Sequence, residues 1–131
     1  MSILYYQFTS CDQPPLTSAQ KNNPYFQKVD DCLRNWNSGE HHFTLHSSGS
    51  TGTPKPIVLT KTQITASAQA TARALGLPAK SKVLITLNVE MIAGFMMLVR
   101  TLVNDWHATV ILPTSDPLAT LPEDLAFDFV A

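Results

Sequence analysis

From residue 42 onward, short apolar strands alternate with longer helical segments, and this order predicts an α/β fold built on a parallel sheet. A βαβαβ unit with flanking helices is the expected architecture. It rests on the runs at 42–46, 83–87 and 108–112, which read as strands, and on the helical stretches between them.

Residues 1–22 read as an irregular lead-in, because Pro14-Pro15 interrupts any regular element. A helix follows. Asn23 can cap it, and Pro24 suits its first turn, where a missing N–H costs nothing. Tyr25, Phe26, Val29, Cys32, Leu33 and Trp36 then recur at helical spacing and form one apolar stripe, with Gly39 as the stop. Thr60 and Gln63 form a capping box for a helix over 61–75, ended by Gly76 and Pro78. Met91 to Asp105 predicts a helix that is apolar nearly all round, and therefore buried on more than one side. A turn-rich connector at 113–122 leads to a last strand at 127–131. The expected organisation is a lead-in and amphipathic helix at 1–40, then one partial α/β domain at 41–131.

The composition is that of a globular protein, 44% apolar and 15% charged with a net charge of −1. The basic residues are scattered, so no footprint for nucleic acid is present. Met91 to Val103 is well short of the ~20 residues of a membrane span, and the N-terminus lacks the features of a signal peptide. A cytoplasmic protein is expected, with Cys11 and Cys32 as reduced thiols. His42 and His46 share a strand face but lie about 13 Å apart at the usual rise, too far to hold one ion. No metal site is expected among these residues.

The chemistry is concentrated at 47–55, where Ser47-Ser48-Gly49-Ser50-Thr51-Gly52-Thr53-Pro54-Lys55 places five hydroxyls, two glycines and one lysine in nine residues. Gly49 and Gly52 permit positive φ and let backbone N–H groups turn toward an anion. Ser47, Ser48, Ser50, Thr51 and Thr53 add donors, and Lys55 adds a compact positive charge that can reach a phosphate oxygen. Pro54 stiffens the exit. The Walker A spacing is absent, because two residues separate the glycines and Pro56 follows Lys55. The pattern points to a polyphosphate.

This loop closely resembles the signature loop of the adenylate-forming superfamily, whose members include acyl-CoA synthetases, peptide-synthetase adenylation domains and luciferases. Two positions depart from the family pattern: Pro56 replaces the usual glycine, and Lys61 replaces a histidine at the start of the next helix. Met91-Ile92-Ala93-Gly94 is similar to a His-x-x-Gly segment that borders the family's acyl pocket, with Met91 in place of the histidine. The resemblance makes Met91 and Gly94 candidate pocket residues, whereas Met96 and Met97 read as core filling. Within the superfamily, the o-succinylbenzoate–CoA ligases of menaquinone synthesis share three features with this chain. These are the Pro-Lys-Pro-Ile exit, a short sequence before the loop, and the Ala-Gly-x-Met-Met-x-x-Arg run ending at Arg100.

The resemblance implies an N-terminal piece of an ATP-dependent, AMP-forming acyl-CoA ligase. The family's substrates are a small carboxylic acid, ATP and coenzyme A. Its Mg²⁺ ligands, ribose-binding aspartate and catalytic lysine are expected outside these residues, so no catalytic residue is assigned within them. The piece alone is expected to be inactive and prone to self-association through the Met91 helix and the last strand. The alternatives are a stand-alone polyphosphate-binding module without catalysis, or a ligase for another fatty or aryl acid.

Overall fold

The structure is a computed structural model and describes residues 4–47, 52–113 and 126–131. Its elements run β1 (Tyr5–Thr9), α1 (Ser18–Lys21), α2 (Pro24–Asn37), β2 (His42–Ser47), β3 (Lys55–Thr60), α3 (Lys61–Leu75), β4 (Lys82–Ile85), α4 (Ile92–Asn104), β5 (His107–Ile111) and β6 (Phe129–Val130). The architecture is mixed α/β with a sheet of parallel strands, as the alternation predicts.

The main sheet has the order β1-β5-β4-β6, with β4 parallel to both β5 and β6. Helix α4 is the crossover from β4 to β5, since a parallel pair cannot be joined by a tight turn. β1 closes the β5 edge in antiparallel register, from Tyr5 opposite Ile111 to Thr9 opposite His107. The lead-in is therefore more ordered than Pro14-Pro15 suggests. Residues 5–9 alternate exposed and buried, with Tyr6 and Phe8 turned into the core. The Tyr6 hydroxyl donates to the Pro14 carbonyl at 2.7 Å, so the proline pair anchors this strand and does not unravel it. Thr17 and Gln20 form a reciprocal capping box that starts α1.

Residues 42–60 depart from the predicted order. β2 does not belong to the parallel sheet; it pairs with β3 as a separate antiparallel ribbon, from His42 opposite Thr60 to Ser47 opposite Lys55. The connection at 48–54 is too short for a crossover, so the chain must turn back on itself. The Ser/Gly loop is thus the tip of a hairpin and not the first strand-to-helix connection of the parallel sheet. Pro56 is tolerated because each strand of a two-stranded ribbon is an edge, where a missing ladder donor costs least.

Helix α4 joins these two layers. Its Met97 and Leu98 enter a core with Tyr6, Phe8, Val83 and Trp106, while Phe95, Met96 and Val99 enter a second core under the ribbon. That second core holds an aromatic trio in which Phe43 lies 5.1 Å from Trp36 and 5.9 Å from Phe95 between ring centroids. Such pairs contribute ~0.5–1.5 kcal/mol each beyond the area they bury. Lys61, in place of the expected histidine, donates through Nζ to the Trp36 carbonyl at 2.7 Å and lies over the Trp36 ring. Its backbone N–H donates to the His41 carbonyl, which closes the base of the ribbon.

The helices match their sequence signals closely. Asn23 caps α2 through its side chain, and Phe26, Val29, Leu33 and Trp36 form the buried stripe. Thr60 and Gln63 make the full capping box of α3, which ends at Gly76 with φ +66°. β6 is shorter than the run at 127–131 suggests, reduced to Phe129 and Val130. The connector at 113–122 lies almost wholly outside the described residues. Helix α4 keeps Gly94 to Val99 buried, and the exposed large apolar side chains include Val58, Leu87, Leu112 and Val130. Among the described residues no helix is long and apolar enough to cross a membrane.

Both cysteines are free, Cys11 exposed and Cys32 partly buried. Burial, reinforced by Asp31, pushes the Cys32 thiol up to about 11. Burial likewise raises the Tyr6 hydroxyl to about 12, with Asp30 and Asp12 adding to the shift. Both groups therefore hold their protons more tightly folded than unfolded. Their contribution to stability is complete below the unfolded values and is lost as pH rises through the folded ones. Urea midpoints are expected to stay level to about pH 8.5 and to fall between there and pH 12. A Tyr6→Phe variant should lose part of that alkaline slope; an unchanged slope would remove Tyr6 as its source.

Candidate functional site

The ribbon carries the polyphosphate candidate loop at its tip. Ser47 and Lys55 face one another as the last cross-strand pair, so a hydroxyl and an ammonium stand at the two sides of the loop mouth. Lys55 is exposed, as are Gly52 and Thr53. Gly52 has φ +81°, and a Cβ there would meet nothing within 4 Å. The requirement for glycine at this position is therefore conformational and not steric, as the loop chemistry predicts. Ser48, Gly49, Ser50 and Thr51 lie outside the described residues.

The ribbon that carries this loop is anchored by its inner face. Phe43 and Leu45 point inward and are buried against α2, α3 and α4, while His42, Thr44 and His46 point outward. The two histidines thus share the exposed face expected of them. Among the described residues, no group of three His, Cys, Asp or Glu side chains is placed to hold a metal ion.

A second feature lies between α3 and α4, where a cavity of about 490 Å³ opens. Helix α4 lines it with Ile92, Ala93, Met96 and Arg100, and α3 with Gln63, Ile64 and Ser67. Leu59 at the base of the ribbon and Leu87 beyond β4 complete the wall. Leu87 follows the carboxyl end of β4, the edge at which parallel sheets receive ligands. Tyr25 fixes that segment: its hydroxyl donates to the Leu87 carbonyl at 3.0 Å and accepts from the Val89 N–H at 3.1 Å. Burial raises the Tyr25 pKa against the opposing effect of the Val89 bond, so the hydroxyl stays protonated and able to donate.

The Met91–Gly94 segment therefore reaches the cavity through its two middle residues, Ile92 and Ala93. Met91 is the half-buried N-cap of α4 and makes no side-chain cap bond. Gly94 faces the backbone of the preceding turn, and a Cβ added to it would lie 2.1 Å from the Asn88 carbonyl oxygen. Close backbone approach explains the glycine. Met96 lines the cavity and also packs in the ribbon core.

Arg100 is the one charged side chain of this lining. It pairs with no carboxylate among the described residues, where the ion pairs are Lys28–Glu90 and Arg34–Asp30. Its Nε is buried without a hydrogen-bond partner, and its Nη1 meets only the weak acceptor Met97 Sδ, at 3.5 Å. Burial lowers its pKa from the ordinary guanidinium value. The sequence marks Arg100 only as the end of a motif. The burial of its Nε, without a partner among the described residues, is a tertiary fact.

With this geometry in place, comparison with known proteins decides the family. The sequence profile of the AMP-binding enzymes matches residues 3–129. The chain belongs to the AMP-binding enzyme family. No curated protein matches it. Among solved structures it is similar to an acyl-CoA synthetase (AMP-forming)/AMP-acid ligase II-like protein from Dyadobacter fermentans, with 43% identity and a TM-score of 0.85. That match covers 97% of this AMP-binding chain and 35% of the other, so the chain spans about a third of its relative. It is also similar in fold to the inhibitor-bound N-terminal domain of FACL13 from Mycobacterium tuberculosis, at 18% identity and a TM-score of 0.51. That second match covers 59% of this chain and 19% of the other.

The steric account of Gly94 gives a direct test. Gly94→Ala is expected to destabilise the fold by about 1–3 kcal/mol, despite the better helix propensity of alanine, because the Asn88 backbone must move. Equilibrium urea unfolding measures it, and a neutral or stabilising result would contradict the close approach.

Proposed function

We propose that the chain is the N-terminal part of a cytoplasmic, ATP-dependent, AMP-forming acyl-CoA ligase whose acid substrate is o-succinylbenzoate. The observation that carries this reading is the Ser47–Lys55 loop, presented at the tip of an anchored ribbon with Gly52 at positive φ. A family profile that spans residues 3–129 supports a ligase over a stand-alone phosphate-binding module. The choice of o-succinylbenzoate among acids rests on the Pro-Lys-Pro-Ile exit, the short sequence ahead of the loop and the run ending at Arg100.

In this reading the acid carboxylate attacks the α-phosphorus of ATP, pyrophosphate leaves, and the coenzyme A thiol then displaces AMP to give the thioester. The chain's own residues contribute binding and orientation. The backbone N–H groups and hydroxyls of the loop, with Lys55, would hold the β- and γ-phosphates and offset the negative charge that builds on the leaving pyrophosphate. The cavity between α3 and α4 would take the body of the acid, excluding water from it with Leu59, Ile64, Leu87, Ile92 and Met96. Mg²⁺, when bound, supplies charge neutralisation on the triphosphate; the hydroxyls of the loop suit a polyphosphate, and no acid cluster of the described residues suits the ion itself. Catalytic groups for the attack and for the thioester step are assigned to no residue of this chain.

A loop of this kind recognises charge and spacing, not the base. Calorimetric titration should therefore show ATP and tripolyphosphate binding competitively while adenosine does not bind. Lys55→Ala is expected to weaken both polyanions about tenfold through loss of one charge-assisted contact. The role given to Lys55 fails if that substitution is silent. The 131-residue chain alone is expected to release no pyrophosphate from ATP, Mg²⁺ and an aryl acid, and steady release would place the catalytic groups within it.

A further inference from the structure

A further cavity, of about 340 Å³, opens at the amino edge of β4 and β5, the opposite edge from Leu87 and the α3–α4 space. We infer that it is a ligand site of its own, taking a small zwitterion that carries a carboxylate and an ammonium group. The site is independent of the roles given to the phosphate loop and to the α3–α4 cavity. Strand register builds it. Thr9 lies opposite His107, Gln7 opposite Thr109, and Lys82 beside His107 on the parallel side. Side chains alternate along a strand, so these five share the face turned away from the core that holds Tyr6 and Phe8. Farther along the same face, Leu84 and Ile111 are apolar and buried. Polarity is thus confined to the end of the face that lines the cavity.

Hydrogen bonding within the protein leaves these groups with capacity of a particular kind. Thr109 is only 4% exposed, and its Oγ1 already accepts from Gln7 Nε2 at 3.1 Å. What remains is its hydroxyl proton, which has no acceptor among the described residues. A buried donor without an acceptor costs stability, and a ligand oxygen would remove that cost. Thr9 Oγ1 likewise accepts from the N–H groups of Cys11 at 3.3 Å and Asp12 at 3.0 Å, so its proton too is left to donate. Lys82 and Asp12 form no ion pair with a described residue. Both are exposed and hydrated, so it is the buried Thr109 hydroxyl that marks the cavity as a site, and the two charges that define its ligand. They stand at opposite ends of the row. Asp12 is tied to Thr9, whose N–H donates to the Asp12 carbonyl at 2.8 Å. Lys82 lies two strands away, about 10 Å across the sheet at ordinary strand spacing. Donors therefore face an anion at one end, and a carboxylate faces a cation at the other. Phe8 and Phe127 complete the wall and suit a short apolar chain between the two charges. The volume is at the low end for small-molecule pockets, which limits the ligand to the size of an amino acid or dipeptide.

Probes of one size separate the contributions: γ-aminobutyrate carries both charges, butyrate only the carboxylate and butylamine only the ammonium. Each is titrated into the 131-residue chain and followed by nitrogen–proton correlation spectra. γ-Aminobutyrate is expected to perturb the amides of residues 7–12, 82 and 107–109, and to bind about tenfold more tightly than either single-charge probe. Lys82→Met should reduce its affinity to that of butylamine, and Asp12→Asn to that of butyrate. Thr109→Val, which keeps the shape and removes the hydroxyl, should weaken both carboxylate-bearing probes by about threefold or more. Each variant should keep the parent's spectrum away from the cavity, which separates a lost site from a lost fold. Equal affinity for the three probes, or a silent Lys82→Met, Asp12→Asn or Thr109→Val, overturns the proposal. A γ-aminobutyrate concentration of roughly 10 mM that leaves these amides unmoved overturns the site altogether.

Discussion

Burial of α4 on both of its faces is the constraint on which the rest of the structure depends. One face supplies Met97 and Leu98 to the core of the main sheet, and the other supplies Phe95, Met96 and Val99 to the core beneath the ribbon. Without this helix the core beneath the ribbon would lose Phe95, Met96 and Val99, and a two-stranded hairpin is marginal by itself in water. The close approach of Gly94 to Asn88 serves the same end. It lets the chain leave β4 and enter α4 through a tight, backbone-packed turn, which sets the helix at the height where both faces are covered. Tyr25 secures that turn from α2 with two hydrogen bonds, so α2 is tied to the segment that joins β4 to α4.

The sequence made the helices legible because their signals are local. Asn23-Pro24, the Thr60–Gln63 box and Gly76 each act within one turn, and all three sit where their side-chain and backbone chemistry predicts. The strands were only partly legible. β1 is a five-residue alternating segment with Tyr6 and Phe8 inward, and its pairing with β5 spans about a hundred residues of sequence, which no local pattern encodes. β3 was obscured by Pro54 and Pro56, which argue against a central strand but not against an edge. Once 55–60 is a strand, the short return connection leaves only an antiparallel pairing.

The candidate site divides along the same line. The candidate polyphosphate loop rests on residue types, glycines that permit positive φ, hydroxyl donors and a lysine, and of these the structure shows Gly52 at positive φ. The cavity was not legible, because its walls come from α3, α4, the ribbon and the turn after β4. Met91 and Gly94 marked the right segment, yet Ile92 and Ala93 are the residues that face the space. Helical geometry explains the difference. Gly94 must face the incoming backbone, and its neighbours about 100° and 160° around the helix axis are directed away from it.

The ribbon also links the two proposed binding regions mechanically. Lys55 at the loop and Leu59 at the cavity wall are on the same strand, about 13 Å apart at the rise of an extended chain. Both are referenced to the same rigid element, held by Phe43 and Leu45 on the inner face and by Lys61 at the base. A ligase that joins an acid to the α-phosphate must hold two substrates at one fixed separation, and effective molarity falls steeply when that separation is loose. A strand clamped at one end onto a buried aromatic trio provides such a spacing without needing a contact between the substrates' binding groups. Under the proposed reading, packing around Trp36, Phe43 and Phe95 is then part of the catalytic geometry although none of these rings belongs to the phosphate loop or the α3–α4 cavity. Loosening it would cost orientation before it cost affinity for either substrate alone.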